Sequence, residues 1–323
     1  MPVIETSGLT KKYGEFLALD RLNLKVDEGE VLGLLGPNGA GKTTTLLMLT
    51  TLLKPTAGTA RVNGFDIIKE PGKVRQSIGI VFQDPSSDDI LTGYENLKLH
   101  GMLYSMPPAL RERRIGEVLE LVELSDRKDS RVRQYSGGMR RRLELARGLM
   151  HHPRILFLDE PTLGLDPQSR EYIWGYIHNL ARQEKVTVII TSHYMEEVDR
   201  LCTRLAIIDE GAVVALDTPA NLKRVIGGDV VSLRLRRNRD GMFSHLDFVR
   251  KAETKGGMTY LTVVNASERL PEILRAAGMD AVSVEVHSPT LNDVFFHYTG
   301  KEIREGSGEG SWGERSITYS GKR

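Results

Sequence analysis

The chain has 323 residues, of which 40% are hydrophobic and 27% are charged; this composition is typical of globular proteins with a substantial core, and the length favours two domains. The net charge of +1, from 44 basic and 43 acidic residues, excludes a strong overall attraction to nucleic acid or to an anionic membrane. The single cysteine, Cys202, excludes an internal disulfide and agrees with a reducing compartment.

A membrane-spanning helix needs about 18 consecutive apolar residues. No run of that length occurs in the sequence. The start, Met1–Thr6, lacks the charged and apolar regions of a signal peptide. We therefore expect a cytoplasmic protein. If it works at a membrane, another chain supplies the membrane part.

The N-terminal part is predicted to begin with short β-strands, because residues 4–9 and 22–26 alternate apolar and polar side chains. The unbroken apolar run at 31–35 indicates a strand that is buried on both faces. A helix is predicted from Thr43 to about Leu53, where a Lys-Pro pair ends it. Another strand is predicted at 77–82.

Residues from about 84 to 150 are predicted to be mostly helical. Apolar, strand-like runs return at 155–158, 186–190 and 205–208. Strands that alternate with helices are typical of a parallel α/β sheet. The sequence therefore predicts such a sheet, with a helical subdomain inserted at about 84–150.

Gly227 and Gly228 mark a predicted domain boundary, between a first domain at 1–226 and a small α+β domain at 229–298. From Thr299 onward, glycine and serine supply 10 of 25 residues, which predicts a disordered tail at 299–323. The elements predicted in the small domain are strands at 230–235 and 258–264, a helix at 267–277 and a strand at 281–286.

The clearest chemical motif is the run Gly36-Pro37-Asn38-Gly39-Ala40-Gly41-Lys42-Thr43, which fits the P-loop pattern between a buried strand and a helix. Glycines let backbone N–H groups converge on phosphate, and the helix N-terminus attracts anions. Lys42 is expected to reach the β- and γ-phosphates, and the Thr43 hydroxyl to ligate Mg²⁺. The alternative is a tight glycine turn with a purely structural role.

Two carboxylates, Asp159 and Glu160, follow the apolar strand at 155–158. The carboxyl ends of parallel strands form the ligand-binding edge of an α/β sheet. Asp159 is suited to the Mg²⁺ shell. Glu160 is suited to act as the general base that activates water, which is typically worth about 10²–10⁴-fold in rate. The alternative is a pair of solvated charges at a strand end.

A third motif, Tyr135-Ser136-Gly137-Gly138-Met139, precedes the acidic strand and opens a predicted helix at 140–150. A lone histidine, His193, follows a later strand. This order of P-loop, Ser-Gly-Gly, acidic strand and histidine resembles that of the ATP-binding cassette (ABC) ATPases, over about residues 3–225. The resemblance implies an α/β P-loop NTPase fold of the ABC ATPase type with an N-terminal antiparallel β subdomain and the helical insert.

The resemblance implies further roles for single residues. Tyr13 would stack on adenine, and Gln83 would touch Mg²⁺ and the attacking water while sensing a transport partner. Asp166 would cross to a partner subunit, and His193 would contact the γ-phosphate and align Glu160. The implied catalytic residues are Glu160, His193, Lys42 and Gln83; the nucleotide-binding residues are Tyr13, Gly36, Pro37, Asn38, Gly39, Ala40, Gly41, Lys42, Thr43, Thr44, Gln83, Ser136, Gly137, Gly138 and Asp166; and the metal ligands are Thr43, Gln83 and Asp159.

The Ser-Gly-Gly motif departs from the common family form Leu-Ser-Gly-Gly-Gln at Tyr135 and Met139. Phosphate contacts are expected from the Ser136 hydroxyl and the Gly137 and Gly138 amides, which are retained. Methionine cannot replace the hydrogen bonds of a glutamine side chain. The basic run that follows, at 140–142, is interpreted as a helix near polyphosphate, and contact with nucleic acid is not expected.

The single cassette, the absence of a membrane segment, the C-terminal α+β domain, Ser-Gly-Gly-Met and Leu-Asp-Pro resemble the daunorubicin-resistance (DrrA-type) branch of exporter ATPases. This resemblance implies a subunit that powers export of a drug or another small lipophilic substrate, at the cytoplasmic face of the membrane. Its partners would be a second ATPase subunit, as a homodimer, and a separate six-helix permease. The segment at 288–295 has two interpretations, a packing helix of the extra domain or a docking surface.

The implied mechanism places two chains head to tail, with each ATP between Gly36–Thr44 of one chain and Ser136–Gly138 of the other. ATP binding would close the dimer and hydrolysis would open it, and the helical insert would pass this motion to the permease. Two alternatives remain: a soluble ABC ATPase in translation or DNA repair, and a regulatory subunit with little turnover.

Overall fold

The computed structural model describes residues 2–237, 241–255 and 257–301. Over these ranges the strands form three sheets, and none of the helices has the length and apolar character needed to cross a bilayer. In chain order the strands are β1 (Pro2–Tyr13), β2 (Phe16–Leu22), β3 (Lys25–Asp27), β4 (Val31–Leu35), β5 (Ala57–Val62), β6 (Phe65–Asp66), β7 (Ile78–Val81), β8 (Ile155–Asp159), β9 (Thr187–Ser192), β10 (Arg204–Asp209), β11 (Ala212–Asp217), β12 (Asp229–Leu235), β13 (Val249–Lys255), β14 (Met258–Val263) and β15 (Ala281–His287). The α-helices are α1 (Lys42–Leu49), α2 (Pro71–Ser77), α3 (Gly93–Leu103), α4 (Pro108–Leu121), α5 (Gly137–Leu149), α6 (Pro167–Gln183), α7 (Met195–Leu201), α8 (Pro219–Ile226), α9 (Ala266–Ala277) and α10 (Leu291–Thr299).

The first sheet is antiparallel and is built around β1, which pairs with β2, β3 and β5, while β6 extends the sheet from β5. Side chains alternate across a strand, so β1 buries Ile4 and Thr6 and leaves Ser7 exposed. Its apolar face joins a core cluster that also contains Leu46 and Leu49 of α1. This arrangement packs the N-terminal sheet against the helix that follows the P-loop.

The central sheet has the strand order β11-β10-β4-β9-β8-β7, with β11 antiparallel to β10 and the other neighbours parallel. β4 is buried on both faces, since Val31 and Leu35 belong to one core cluster and Leu32 and Leu34 to another. The carboxyl ends of β4, β8 and β9 lie side by side, and Asp159 is in register with Thr191. The segments that carry the predicted phosphate-binding and catalytic residues therefore meet at this edge of the sheet.

The helices α3, α4 and α5 pack against one another between β7 and β8. A capping box formed by Thr92 and Glu95 starts α3. Arg114 of α4 donates to the carbonyl oxygens of Leu149 and Met150, at 2.8 and 3.3 Å, and so ties α4 to the end of α5. The helical character predicted for this stretch is present.

The last sheet is antiparallel, in the order β13-β14-β12-β15. One face packs on α9 through Val231, Leu233, Leu261 and Ile273. α10 instead packs on α8 and α7, and its Phe295 belongs to the same core cluster as β4 and β9. Among the interpretations of 288–295, a packing helix agrees with these contacts, although the helix packs on the first part of the chain.

The structure departs from the sequence prediction at the end of α1, at β13 and at the start of the predicted tail. α1 ends at Leu49 and not near Leu53, because Thr51 has a φ of 66° and the N–H groups of Leu52 and Leu53 return to the carbonyl oxygen of Leu47. β13, which was not predicted, is an edge strand with mostly exposed side chains. α10 includes Thr299, and Lys301 is paired with Asp209 and Glu210, so order extends past the predicted start of the tail; residues 302–323 lie outside the described residues.

Candidate active site

The loop between β4 and α1 is shaped by two glycines whose replacement would create a clash. An added Cβ at Gly36 would lie 2.2 Å from the carbonyl oxygen of Ile208, and one at Gly41 would lie 2.6 Å from that of Ala18. Gly41 also has a φ of 107°, in the left-handed region that favours glycine. Neighbouring segments of β10 and β2 thus fix the backbone of the loop at the start of α1.

Lys42 lies within the curve of this loop and is almost fully buried. Its Nζ donates to the carbonyl oxygens of Gly36 and Pro37, at 2.7 and 3.1 Å. Burial lowers the pKa of Lys42, while the negative charges of Glu160 and Asp159 act in the opposite direction. The ammonium is therefore held beside a helix N-terminus, which is a favourable place for phosphate.

The remaining residues of the loop differ in exposure. Asn38 and Gly39 are exposed at its tip, and Thr44 is half-buried in the first turn of α1. Ala40 is buried, and its carbonyl oxygen accepts a hydrogen bond from the N–H of Gly211 at 3.1 Å. The loop is thus anchored at its base and open at its tip.

Thr43 and Asp159 form an oxygen pair at the carboxyl ends of the strands. The Thr43 hydroxyl lies 3.3 Å from Oδ1 of Asp159, and the Thr191 hydroxyl donates to the same oxygen. Burial raises the pKa of Asp159, the Thr191 hydrogen bond lowers it, and the charge of Glu160 raises it again. A hydroxyl and a buried carboxylate, whose negative charge a cation would stabilise, are ligands suited to Mg²⁺. Water and phosphate oxygens would supply the remaining ligands of the ion.

Glu160 and His193 meet beside this pair. His193 Nδ1 lies 3.1 Å from Glu160 Oε1, and both side chains are largely buried. Burial raises the pKa of Glu160, but the hydrogen bond and charge of His193, with the charges of Lys42 and Arg141, outweigh it and the pKa is lowered. Glu160 is therefore ionised near neutral pH, with an oxygen available to accept a proton.

The backbone of Glu160 is itself constrained. Its φ is 46°, which is uncommon for a residue with a Cβ. The N–H of Glu160 donates to the carbonyl oxygen and to the hydroxyl of Thr191, both at 3.1 Å. Such conformations persist where the surroundings hold them, often at functional sites. The carboxylate therefore projects from a fixed turn.

The Ser-Gly-Gly motif lies at the start of α5. Ser136 is its N-cap, with the side-chain oxygen accepting the N–H of Met139 at 3.2 Å, and Ser136 and Gly137 are exposed. Within the part of the chain that the structure describes, no hydrogen bond joins 136–138 to the P-loop of the same chain. The structure therefore does not bring these residues together with Lys42, Asp159 and Glu160.

Asp166 caps α6, accepting from the N–H and the hydroxyl of Ser169 at 2.9 and 2.7 Å. Ser169 in turn approaches the Ser-Gly-Gly motif, since an added Cβ at Gly138 would lie 2.6 Å from its Oγ. Asp166 is exposed. Its cap and its position beside Gly138 place it on the same surface as the motif.

Tyr13 and Gln83 are both exposed. Tyr13 ends β1, on the hairpin whose β2 strand approaches Gly41, and the Lys11 ammonium lies 5.1 Å from its ring centre. Gln83 follows β7, and its carbonyl oxygen lies 3.4 Å from a guanidinium nitrogen of Arg141. Neither side chain is held against the pair formed by Glu160 and His193.

Two residues that organise this site were not identified from the sequence. Thr191 bonds both Asp159 and Glu160, and its position near the end of β9, two residues before His193, was an available signal. Arg141 is buried and contacts the backbone of both strand ends. A run of three arginines gives no sign of which one turns inward.

The interpretation of that arginine run as a helix near polyphosphate is incomplete. Arg140 forms an ion pair with Asp89 at 2.6 Å, and Arg142 donates to the carbonyl oxygen of Val122 at 3.1 Å. Arg141 is directed into the protein. All three side chains therefore have partners within this chain.

Comparison with known proteins agrees with this geometry. Residues 19–163 match the ABC transporter family, and residues 218–299 match the C-terminal domain of DrrA1-3-like ATP-binding proteins. The daunorubicin resistance ATP-binding protein DrrA3 of Streptomyces coeruleorubidus is 41% identical over 307 residues, which cover 93% of this chain and 97% of that protein. The linearmycin resistance ATP-binding protein LnrL of Bacillus subtilis is 35% identical over 312 residues, which cover 94% and 100%.

Solved structures give the same result. A dimeric ATP-binding cassette in a post-hydrolysis state, bound to ADP and Pi, is 30% identical with a TM-score of 0.61, covering 67% of this chain and 98% of that one. A nucleotide-free cassette from an ABC transporter is 27% identical with a TM-score of 0.64, covering 70% and 96%.

The chain belongs to the ABC transporter family. It is an ATP-binding subunit that hydrolyses ATP to power transport, and such subunits dimerise and work with a membrane permease. The predicted family, fold class and ATPase activity are confirmed, and a role in translation or DNA repair is not favoured by the relatives.

Proposed function

We propose that two copies of this chain assemble head to tail and hydrolyse Mg-ATP between Gly36–Thr44 of one copy and Ser136–Gly138 of the other. One observation carries this proposal. The side chains suited to hydrolysis gather around Lys42, whereas Ser136 and Gly137 lie exposed at a helix N-terminus without a bond to that loop. A helix N-terminus is suited to phosphate, so a second copy would supply it.

In this proposal Glu160 is the general base. Its lowered pKa keeps the carboxylate ionised. The proton of the attacking water moves to a Glu160 oxygen as the new bond to the γ-phosphorus forms and the bond from that phosphorus to the β-phosphate oxygen breaks, which releases ADP. His193 holds that carboxylate from the side, at 3.1 Å. Lys42 and the backbone N–H groups of the loop bind and orient the phosphates.

Thr43 and Asp159 are proposed to hold Mg²⁺ through their oxygens, with Gln83 joining them when the site closes. When bound, Mg²⁺ neutralises charge on the phosphate oxygens. Tyr13 is proposed to stack on adenine, because it is an exposed aromatic residue on the hairpin beside the loop. Asp166 is proposed to contact the second copy, because it caps α6 on the surface that carries Gly138.

The transported substrate is proposed to be a drug or another small lipophilic compound that leaves the cell. Relatives across most of this chain are named for resistance to daunorubicin, doxorubicin and linearmycin and for Nod factor export. The proposed partner is a separate six-helix permease, which would place this subunit at the cytoplasmic face of the membrane. Residues 1–226 are proposed as the ATPase domain, with its helical insert at 84–150, and 229–298 as an accessory domain.

The decisive experiment replaces Glu160 with Gln and measures ATP turnover and molecular mass with and without ATP. We expect turnover to fall by about 10²- to 10⁴-fold, while ATP converts the variant from monomer to dimer. The matched control is Glu171→Gln, which removes an exposed acid of α6 that pairs with Arg200 and should leave both properties unchanged. Wild-type turnover in Glu160→Gln would exclude Glu160 as the base, and a variant that stays monomeric in saturating ATP would exclude the shared site.

A second experiment tests the partner. The chain is recovered from native membranes with its neighbours, and the co-purified proteins are identified by mass spectrometry. A protein with six membrane-spanning helices is the expected partner. Recovery with ribosomes and without a membrane protein would contradict the proposed role in export.

A further inference from the structure

Arg141 is a buried side chain beside the site that makes several hydrogen bonds. It takes no part in the hydrolytic chemistry described above. It lies in the second turn of α5, five residues after Ser136, and only 5% of it is exposed. Within the described part of the chain, it donates to main-chain carbonyl oxygens and not to side chains. These oxygens belong to Phe82, Gln83, Asp159, Glu160 and Pro161, at 2.5, 3.4, 3.0, 3.1 and 2.6 Å.

The contacts use the whole guanidinium. An arginine side chain has five N–H donors in a rigid plane, and here Nε reaches one carbonyl oxygen while each terminal nitrogen reaches two. Burial lowers the pKa of Arg141 to about 10, so the group still carries its charge at neutral pH. Neither the single ammonium of lysine nor the amide of glutamine can reach all five positions.

The carbonyl oxygens come from two chain segments that leave neighbouring parallel strands. One segment follows β7 and carries Gln83, and the other ends β8 and carries Asp159 and Glu160. Hydrogen bonds to the main chain at these points fix the backbone positions from which the side chains of Gln83, Asp159 and Glu160 project. Arg141 thus joins three parts of the site: the start of the Ser-Gly-Gly helix, the segment of Gln83 and the turn of Glu160.

The turn of Glu160 needs such support from two sides. Its positive φ of 46° is an unfavourable conformation for residues with a Cβ. Thr191 holds its N–H from the β9 side, at 3.1 Å, and Arg141 holds its carbonyl oxygen at 3.1 Å from the α5 side. Without the second contact, this peptide could turn and carry the carboxylate away from His193.

We propose that Arg141 is a positioning residue for ATP hydrolysis, which holds the main chain of Glu160 and Gln83 in the geometry for reaction. This inference rests on the proposed role of Glu160 as the base. Arg141 touches neither nucleotide nor water in this proposal, and it acts through the two segments that it joins. Its loss should therefore lower the rate of reaction more than the binding of ATP.

The test compares Arg141→Gln and Arg141→Lys with Arg142→Gln, measuring kcat and KM for ATP. Misplacement of a reacting group by about 1 Å can cost 10²-fold in rate, so we expect kcat of Arg141→Gln to fall by 10- to 100-fold with KM changed less than threefold. Arg141→Lys should recover part of the loss. Arg142→Gln, on the same helix but directed to the carbonyl oxygen of Val122, should retain wild-type kcat.

A separate control for stability is needed, because five carbonyl oxygens lose the hydrogen bond from Arg141 in Arg141→Gln. The melting temperature of each variant is compared with that of Val118→Ala, a core truncation in α4 away from the site. If Val118→Ala melts as low as the Arg141 variants and keeps its kcat, instability is not the cause of their loss. An Arg141→Lys variant that folds and keeps wild-type kcat would overturn the proposal.

A double variant separates this inference from the proposed function. If Arg141 acts through Glu160, then Arg141→Gln should cost much less in a chain that already carries Glu160→Gln, because coupled residues are not additive. An equal loss in both backgrounds would overturn the positioning role and leave Glu160 as the base. Wild-type turnover of Glu160→Gln alone would instead defeat the proposed function, whatever Arg141 does.

Discussion

The Nδ1 atom of His193 lies 3.1 Å from Oε1 of Glu160, although the two residues are 33 positions apart and follow different strands. Because β8 and β9 are parallel neighbours, their carboxyl ends bring the two residues together. An ionised carboxylate only accepts hydrogen bonds, so the proton of this contact lies on Nδ1. The contact therefore fixes the side chain of the proposed base.

Replacement of His193 by Ala should lower kcat by about 100-fold, since the carboxylate loses its alignment. It should also raise the pKa of Glu160, because the hydrogen bond that lowers this pKa is removed. The base works only when ionised, and activity is lost as the pH falls through its pKa. The acid limb of the kcat profile should therefore move to higher pH.

The measurement is kcat against pH for His193→Ala, with His178→Ala as the control because His178 is exposed on α6. The control should keep both the rate and the profile of the wild type. An unchanged acid limb in His193→Ala, together with a lower kcat, would mean that His193 does not set the ionisation of Glu160.

Much of this site was predictable because its signals are local. The apolar run at 31–35 and the loop at 36–43 specify a strand and a turn without reference to the rest of the chain, and both were predicted. The role of Arg141 could not be predicted, because its five partners are main-chain atoms whose meeting depends on how α5 packs on β7 and β8. A sequence pattern indicates which face of a helix or strand is buried. It does not identify the hydrogen-bond partners of a single buried arginine.

The same distinction between local signals and long-range contacts applies to the fold. β12 and β14 were predicted as strand-like segments, and both bury apolar side chains against α9. β13 was missed because it is an edge strand, rich in charged residues, and among the described strands it pairs with β14 alone. Its position is set by long-range pairing, which no local pattern reports.

Thr191→Val should weaken the use of Mg²⁺. The variant keeps the shape of the side chain and removes the hydroxyl that donates to Asp159 and accepts from Glu160. Burial already raises the pKa of Asp159, and the Thr191 hydrogen bond lowers it, so loss of the bond should raise this pKa further. We expect a higher Mg²⁺ concentration at half-maximal turnover and a loss of about 1–3 kcal/mol in the free energy of unfolding.

Thr187→Val is the matched control, because Thr187 is an equally buried hydroxyl at the other end of β9 that bonds Gly29. It should lose a similar stability and keep the Mg²⁺ dependence of the wild type. An equal shift in both variants would show that strand stability, and not the contact to Asp159, controls the response to Mg²⁺.

Gly41→Ala should abolish ATP binding. Its φ of 107° is unsuited to alanine, and the new Cβ would lie 2.6 Å from the Ala18 carbonyl oxygen, so the loop must shift. Calorimetric titration with Mg-ATP measures the loss. Gly116→Ala is the control: this glycine lies in α4 with open space around it, and the change should stabilise the fold by about 0.5–1 kcal/mol with ATP affinity retained. Tight ATP binding by Gly41→Ala would contradict the proposed fit.

Ser136→Asp separates the structural role of Ser136 from its proposed role in a shared site. Aspartate is as good an N-cap as serine, so it should still accept the N–H of Met139 and keep the melting temperature. Its negative charge would repel phosphate, and in a chain that also carries Glu160→Gln it should prevent dimer formation in ATP, as measured by light scattering. The control is Thr218→Ala, which removes the N-cap of α8 and should cost about 1 kcal/mol in stability while the ATP-dependent dimer still forms. A normal dimer in Ser136→Asp would show that Ser136 serves α5 alone and that the second half of the site lies elsewhere.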